Sequence, residues 1–297
     1  MENQTKTLDR AVVIGGVVLV LTNALLITGA SVTGAPILTL INTVVLTVFT
    51  FAHGVQRYGW SRFLLFFGIV FVVSWSYESL SVLTGFPFGN YNYTDNFIGP
   101  WIGLVPLMIM PAYFSMGYLS WTIASVLLDK RDAAVRGSEV ALLPLLASFV
   151  MVFWDLSMDP MNATIGQFWV WHDGGAYFGV PFVNFMGWFL CVFTFYFLFA
   201  LILRDRNRDG DRTPVAIRSR AFWVLPVLMY DTRTIQYFLN AILQENRPVT
   251  APDGQVWWTG DIYQSLALVS LFTMIFVSLY AIVRIARSAD LRPSRNQ

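Results

Sequence analysis

The segment Trp154-Asp155-Leu156-Ser157-Met158-Asp159-Pro160 carries two carboxyls four residues apart inside an otherwise apolar stretch. Residues four apart share a helix face, so Asp155 and Asp159 are expected to point the same way. Two carboxylates in a low-dielectric site cannot both ionise cheaply, so one of the pair is expected to keep its proton. A proton held in this way is what a general acid supplies. The plainer alternative is that Asp159 caps the turn before Pro160 and Asp155 bonds a neighbouring helix. Glu78, in Ser74-Trp75-Ser76-Tyr77-Glu78-Ser79, follows the same logic; its alternative is a buried acid satisfied by serines, with Ser74 one turn before it. Asp231 and Arg233 stand two apart on another apolar stretch. They cannot face each other, so each needs a partner on another helix, as a structural pair or as the lining of a substrate tunnel. Arg233, Gln236, Tyr237 and Asn240 form one polar stripe there.

The loops near these acids add Asn90, Asp95, His172 and Asp173, and a crowd of rings: Trp75, Tyr77, Tyr91, Tyr93, Trp101, Trp154, Trp169, Trp171 and Tyr177. His172 beside Asp173 suits the positioning or deprotonation of a water. His53 is expected to be filler at the opposite end. Several chemistries are excluded by inventory. The only lysines are Lys6 and Lys130, both outside the apolar stretches, so no retinal Schiff base can form in a helix bundle. Two histidines, His53 and His172, cannot supply the clusters that membrane di-iron enzymes need. Neither a phosphate-binding loop nor a dinucleotide-binding glycine pattern is present. Cys191 is the one cysteine, so no internal disulfide exists. A net charge of +1 gives no sign of nucleic-acid binding. What remains is acid–base chemistry without metal or cofactor on something greasy. Protonating a trisubstituted alkene gives a tertiary carbocation, aromatic faces stabilise such a cation, and water captures it.

The elements that must position these groups are membrane helices. Of the 297 residues 56% are hydrophobic and 12% charged, about half the charged share of a soluble domain. A bilayer crossing takes roughly 20 apolar residues. Stretches at 11–29, 36–53, 63–82, 101–128, 140–158, 181–203, 221–243 and 264–286 qualify or nearly do, with a kink expected at Pro106 and Pro111 in the fourth. With the N-terminus cytoplasmic, all 19 basic residues except Arg233 and Arg247 fall at inner ends or inner loops, as the positive-inside rule requires. The expectation is therefore an all-α, polytopic integral membrane helix bundle of about eight transmembrane helices. Residues 1–297 form a single transmembrane domain with both termini cytoplasmic, and 204–220 form a cytoplasmic loop. No cleavable signal peptide is expected. No internal repeat supports a two-half transporter. By this topology Glu78, Asp155 and Asp159 lie near the outer ends of their helices, on the side that carries the aromatic loops.

Three runs carry a likeness: ESLSVLTGFPFGNY at 78–91, WDLSMDP at 154–160 and GGAYFGVPFVNFMGW at 174–188. Together they resemble the CruF-type carotenoid hydratases, over most of the chain from the third stretch onward and least in the first stretch and the 204–220 loop. The resemblance implies addition of water to the terminal C=C of an acyclic carotenoid end group, of C40 lycopene or γ-carotene type or of the C50 precursor of bacterioruberin. The product would be a tertiary alcohol. It also implies a multi-pass protein of a prokaryotic cytoplasmic membrane, a carotenoid drawn from the bilayer among membrane lipids, and other membrane enzymes of the carotenoid pathway as neighbours. The site residues rest on the physical reading instead. Asp155, Asp159, Glu78, His172 and Asp173 are the candidates to move protons. Trp75, Tyr77, Asn90, Tyr91, Trp154, Tyr177, Asn184, Asp231 and Arg233 are the candidates to line the substrate. Two rivals stay open: a lycopene-cyclase-like or prenyl-transferring enzyme, for which Asp155 and Asp159 would form a D-x-x-x-D motif, and a proton-coupled transporter of a hydrophobic solute.

Overall fold

The computed structural model describes residues 2–97, 99–131, 134–204 and 219–288, with the side chains of 2–9 excepted. The chain is a helical bundle: α1 (Glu2–Thr33), α2 (Pro36–Thr84), α3 (Ile109–Leu127), α4 (Glu139–Pro160), α5 (Phe182–Arg204), α6 (Arg220–Leu243), α7 (Thr259–Ser270) and α8 (Phe276–Arg287). A π-helical turn, Met161–Ile165, follows α4, and another, Leu271–Ile275, joins α7 to α8. Among the described residues, five helical segments are long and apolar enough to cross a membrane: Arg10–Thr33, Pro36–Thr84, Glu139–Ile165, Phe182–Arg204 and Thr259–Arg287. Their outward faces carry exposed Leu21, Leu25, Val44, Val72, Phe272 and Phe276. A soluble surface would not gather so much apolar area, whereas a lipid-facing one must. The protein is a multi-pass membrane helical bundle.

α2 is two helices in sequence, not one rod. Gly59 breaks it with φ +75° and ψ 164°, a backbone setting open to glycine and strained for other residues. In a continuous helix Phe51 and Phe67 would lie about 24 Å apart; their rings are 5.7 Å apart, so the two halves run back along each other. The expected loop between the second and third stretches is therefore reduced to this one residue.

α3 and α6 fall short of the spanning composition, and burial explains why. Every residue of α3 from Tyr113 to Val126 is buried. A helix enclosed by other helices needs no lipid-facing surface, so it can hold Ser115, Ser120 and Ser125. The fourth stretch also begins later than expected. Residues 101–108 form a short hairpin of β2 (Trp101–Ile102) and β3 (Val105–Pro106). Pro106 lies in β3 and Pro111 in the first turn of α3, where no intrahelical donor is lost, so neither kinks the helix as expected.

The connections sort to two ends. At one end β1 (Tyr91–Tyr93) pairs antiparallel with β4 (Trp169–Trp171), Asn96 donates to the Gly166 and Gln167 carbonyls, and Phe178 packs edge-on against Trp257. Beside Trp257 lies the hairpin of β5 (Pro248–Thr250) and β6 (Val256–Trp258). At the other end Arg57 donates to the Lys130 carbonyl, Arg284 pairs with Asp129, and Arg220 donates to the Ser288 carbonyl. The aromatic loops and the basic connections are thus at opposite ends. His53 is a core residue as expected: Nδ1 shares a hydrogen with Tyr118 Oη at 2.6 Å and Nε2 lies 2.9 Å from the Phe222 carbonyl. Cys191 is free and fully buried.

Candidate active site

Glu78 ends in a cage of phenols. It stands two turns from the end of α2 and is 4% exposed. Tyr113 of α3 donates to Oε1 at 2.6 Å, Tyr93 to Oε2 at 2.8 Å, and Tyr91 also to Oε2. Tyr91 and Tyr93 can both reach because alternate residues of a strand share a face, and the pairing of β1 with β4 holds that strand over the helix end. Burial, reinforced by the neighbouring Glu78 charge, pushes both loop phenols well above the usual tyrosine range, so they stay protonated donors. The alternative of an acid satisfied by Ser74 is not met: Ser74 Oγ donates to the Val70 carbonyl at 2.5 Å.

Asp155 and Asp159 occupy the last two turns of α4 on one face, as their spacing requires, and are 0% and 1% exposed. Their surroundings differ. Asp159 accepts from Trp169 Nε1 at 2.8 Å through Oδ1 and from Asn184 Nδ2 at 2.5 Å through Oδ2. Both oxygens of Asp155 lack a hydrogen-bond partner among the described residues. Asn184 is carried in by the first turn of α5, which can press against the loop that follows α2 because Gly187 has no side chain. A Cβ there would lie 2.6 Å from the Pro87 carbonyl oxygen. The π-turn at Met161–Ile165 directly follows the pair, a local widening that often marks functional helix ends.

The three acids form one site. All lie within electrostatic reach of one another, and rings connect them. Tyr113 stacks on Trp188 with centroids 4.4 Å apart, and Trp188 meets Trp154 edge-on at 6.1 Å. Tyr93 meets Trp169 edge-on at 6.2 Å. Tyr177 donates to the Leu156 carbonyl at 3.0 Å. Burial first, then the nearby Asp155 and Asp159, push its phenol up to about 12.

The other candidates are spread more widely. Trp75 donates to the Ile102 carbonyl and Tyr77 meets Thr194, both half-buried on other faces of α2. Asn90, His172 and Asp173 are solvent-exposed; the His172 backbone N–H donates to the Asn90 carbonyl. Neither the His172 nor the Asp173 side chain is brought to the three acids by any hydrogen bond or ion pair among the described residues. Asp231 and Arg233 do not pair, as expected. Arg233 Nη1 donates to Asn42 Oδ1 at 2.6 Å, and Asn42 donates to Asn23 Oδ1, which ties α6 to α2 and α1. Sequence reasoning missed Tyr113, Trp188 and the anchoring role of Trp169. A tyrosine in an unusually serine-rich apolar stretch was the available signal for Tyr113.

The direct partners of these acids are phenols, an indole and an amide, with no ion pair among the described residues. No three His, Cys, Asp or Glu side chains among the described residues converge in a metal-binding group. The arrangement can hold a proton in an aromatic, water-poor enclosure and stabilise positive charge on an apolar substrate.

The family model described as carotenoid biosynthesis protein matches residues 34–252 of the 297. A bisanhydrobacterioruberin hydratase from Haloarcula japonica is 33% identical over 118 residues, 39% of this chain. The aligned region spans 38% of that relative's length. No solved structure matches.

Proposed function

The chain belongs to the carotenoid biosynthesis protein family, and from that premise we propose that it is a carotenoid hydratase. It adds water to the terminal C=C of an acyclic carotenoid end group and yields a tertiary alcohol. The single observation that carries the reading is the unpartnered Asp155 carboxyl buried one turn from Asp159 inside a ring-lined site. A donor must carry its own proton, and Asp155 is the acid whose oxygens receive none from the protein. Its proton passes to the less substituted alkene carbon, and the π pair forms the new C–H bond. The tertiary cation left behind faces Trp154, Trp188 and the tyrosines. Water forms the C–O bond, and its surplus proton returns to the Asp155/Asp159 pair, so the acid is regenerated and the net change is one water. Glu78 holds the phenol cage in place. The reaction needs no cofactor.

The substrate enters from the bilayer, and the name of the aligned relative makes a bisanhydrobacterioruberin-type end the first to test. Pigments extracted from hosts making that carotenoid or lycopene, with and without this chain, decide the matter. A mass gain of one water per modified end, with oxygen drawn from labelled water even without air, is the expected result. Isomers of unchanged mass would instead indicate a cyclase.

The same reading places one transmembrane domain with eight passes in a prokaryotic cytoplasmic membrane. α2 counts twice, α7 and α8 once together, and both termini lie inside. Asp95→Cys and Asp253→Cys should label from outside the cell and Gly210→Cys, which lies outside the described residues, only from inside. Buried Cys191 keeps the background low. Labelling of 95 and 210 from the same side would overturn the eight-pass arrangement.

A further inference from the structure

Near Asp155, the scheme above leaves three further buried polar atoms unused. Trp154 Nε1, Tyr237 Oη, Asn240 Oδ1 and both oxygens of Asp155 have no hydrogen-bond partner among the described residues. All four residues are more than nine-tenths buried, Tyr237 at 1% exposure, Trp154 at 5% and Asn240 at 6%. They come from two facing helices. Trp154 and Asp155 are neighbours on α4. Tyr237 and Asn240 are three apart on α6 and so share a face. Two turns before Tyr237 on α6, Tyr230 Oη donates to the Val150 carbonyl of α4 at 2.6 Å, which ties the two helices side by side. Tyr237 lies beside Trp154 and within electrostatic reach of Asp155 and Tyr177, yet the approach of the indole N–H to the phenol falls short of a hydrogen bond. Asn240 is pinned from the other side, since its Nδ2 donates to Met161 Sδ at 3.3 Å. That contact depends on the π-turn that begins at Met161.

Buried polar atoms are nearly always partnered, by protein or by water. One such orphan would mean little. Here an indole donor, a phenol that can donate or accept and a carboxyl lie near one another between α4 and α6, with an amide oxygen one turn along α6 from the phenol. A polyene offers nothing to any of them. A molecule with one oxygen, two hydrogens and two lone pairs satisfies most of them at once.

We propose that Tyr237, with Trp154, forms the subsite that holds the attacking water against Asp155, and afterwards the new hydroxyl. This rests on the hydratase reading and adds the group that decides between hydration and its side reactions. The bound water accepts a hydrogen bond from Tyr237 and donates one to the Asp155 carboxylate left by protonation of the alkene. Trp154 Nε1–H lies beside the Tyr237 hydroxyl and orients it rather than the water, so the water's second lone pair remains free to form the C–O bond with the cation, and the proton it sheds goes to Asp155. Without a held water, the cation instead loses a proton from an adjacent carbon and returns to an alkene, the same one or its isomer. Protonation and water capture are therefore separable, and Tyr237 belongs to the second.

The test uses the full chain in host membranes supplied with carotenoid in D2O, and reads two quantities: hydrated product, and carbon-bound deuterium in the carotenoid that is not hydrated. Tyr237→Phe keeps the ring and removes only the hydroxyl. It should lower hydrated product about tenfold or more, the scale of one lost hydrogen bond to the reacting group, while deuterium uptake into the alkene stays at or above the wild-type level. A purely structural role would lower both together. Wild-type hydration by folded Tyr237→Phe, or equal loss of both readouts, overturns the proposal. If that variant does not fold, Trp154→Phe is read in the same way. A shift of its products toward deuterated alkene supports the subsite, and an unchanged ratio overturns it. A wild-type chain that exchanges deuterium yet makes no hydrated product overturns the hydratase reading itself, whereas failure confined to the variants overturns the subsite alone.

Discussion

Asp155→Asn should abolish hydration by a factor of about 10²–10⁴, the usual cost of losing a general acid, and leave a folded protein. The amide matches the carboxyl in shape. It also breaks no hydrogen bond, because neither Asp155 oxygen accepts one from the described residues. Asp159→Asn differs in kind. Asp159 accepts from Trp169 through one oxygen and from Asn184 through the other. An amide has one acceptor oxygen, so one of the two donors loses its partner, at about 1–3 kcal/mol. Asp159→Asn should therefore show a stability loss that Asp155→Asn does not. Product formation per folded molecule, with thermal unfolding in detergent alongside, separates the two. If Asp155→Asn folds and hydrates at near wild-type rate while folded Glu78→Gln is dead, Glu78 is the proton donor and the assignment to the aspartate pair fails.

The largest loss of stability is expected from Glu78→Leu. Three phenol donors, Tyr91, Tyr93 and Tyr113, converge on this one carboxylate. Leucine would leave all three buried hydroxyls without their acceptor, at about 1–3 kcal/mol each. A loss of that size approaches the whole stability of many domains, about 5–15 kcal/mol. Little folded Glu78→Leu should survive detergent extraction. Glu78→Gln retains one carbonyl acceptor and gains an amide that can donate to a phenol oxygen, so most of the folded yield should return. Equal thermal stability of Glu78→Leu and wild type would show that the cage does not hold β1 to the bundle. The expected outcomes separate the two acids: Asp155→Asn loses turnover and keeps the fold, whereas Glu78→Leu loses the fold first.

The membrane class was legible in the sequence because hydropathy and the placement of basic residues report on each segment by itself. The shared face of Asp155 and Asp159 was legible for the same reason, since helical spacing alone sets it. The stretches at 140–158, 181–203 and 221–243 lie within two residues of α4, α5 and α6 at either end. The stretch at 101–128 was read too long, because the β2–β3 hairpin is as apolar as a helix start. The fold-back at Gly59 was visible only as a gap between two stretches; its reduction to one residue depends on a positive φ that composition does not report. The family likeness, carried by three loop-and-helix-end runs, also came from the sequence.

Only the tertiary structure decided what each acid meets. Glu78's partners come from a strand 13 and 15 positions on and from a helix 35 positions on. Asp159's partners come from β4 and α5. Tyr237 lies beside Trp154 and within electrostatic reach of Asp155 across more than eighty positions of chain. Periodicity fixes which face a residue takes on its own element. Which donor on another element then meets it depends on the paths of the loops and on close approaches such as the one Gly187 permits. For that reason the sequence could name three buried acids, and only packing could distinguish the caged glutamate, the anchored aspartate and the one whose oxygens meet no donor among the described residues.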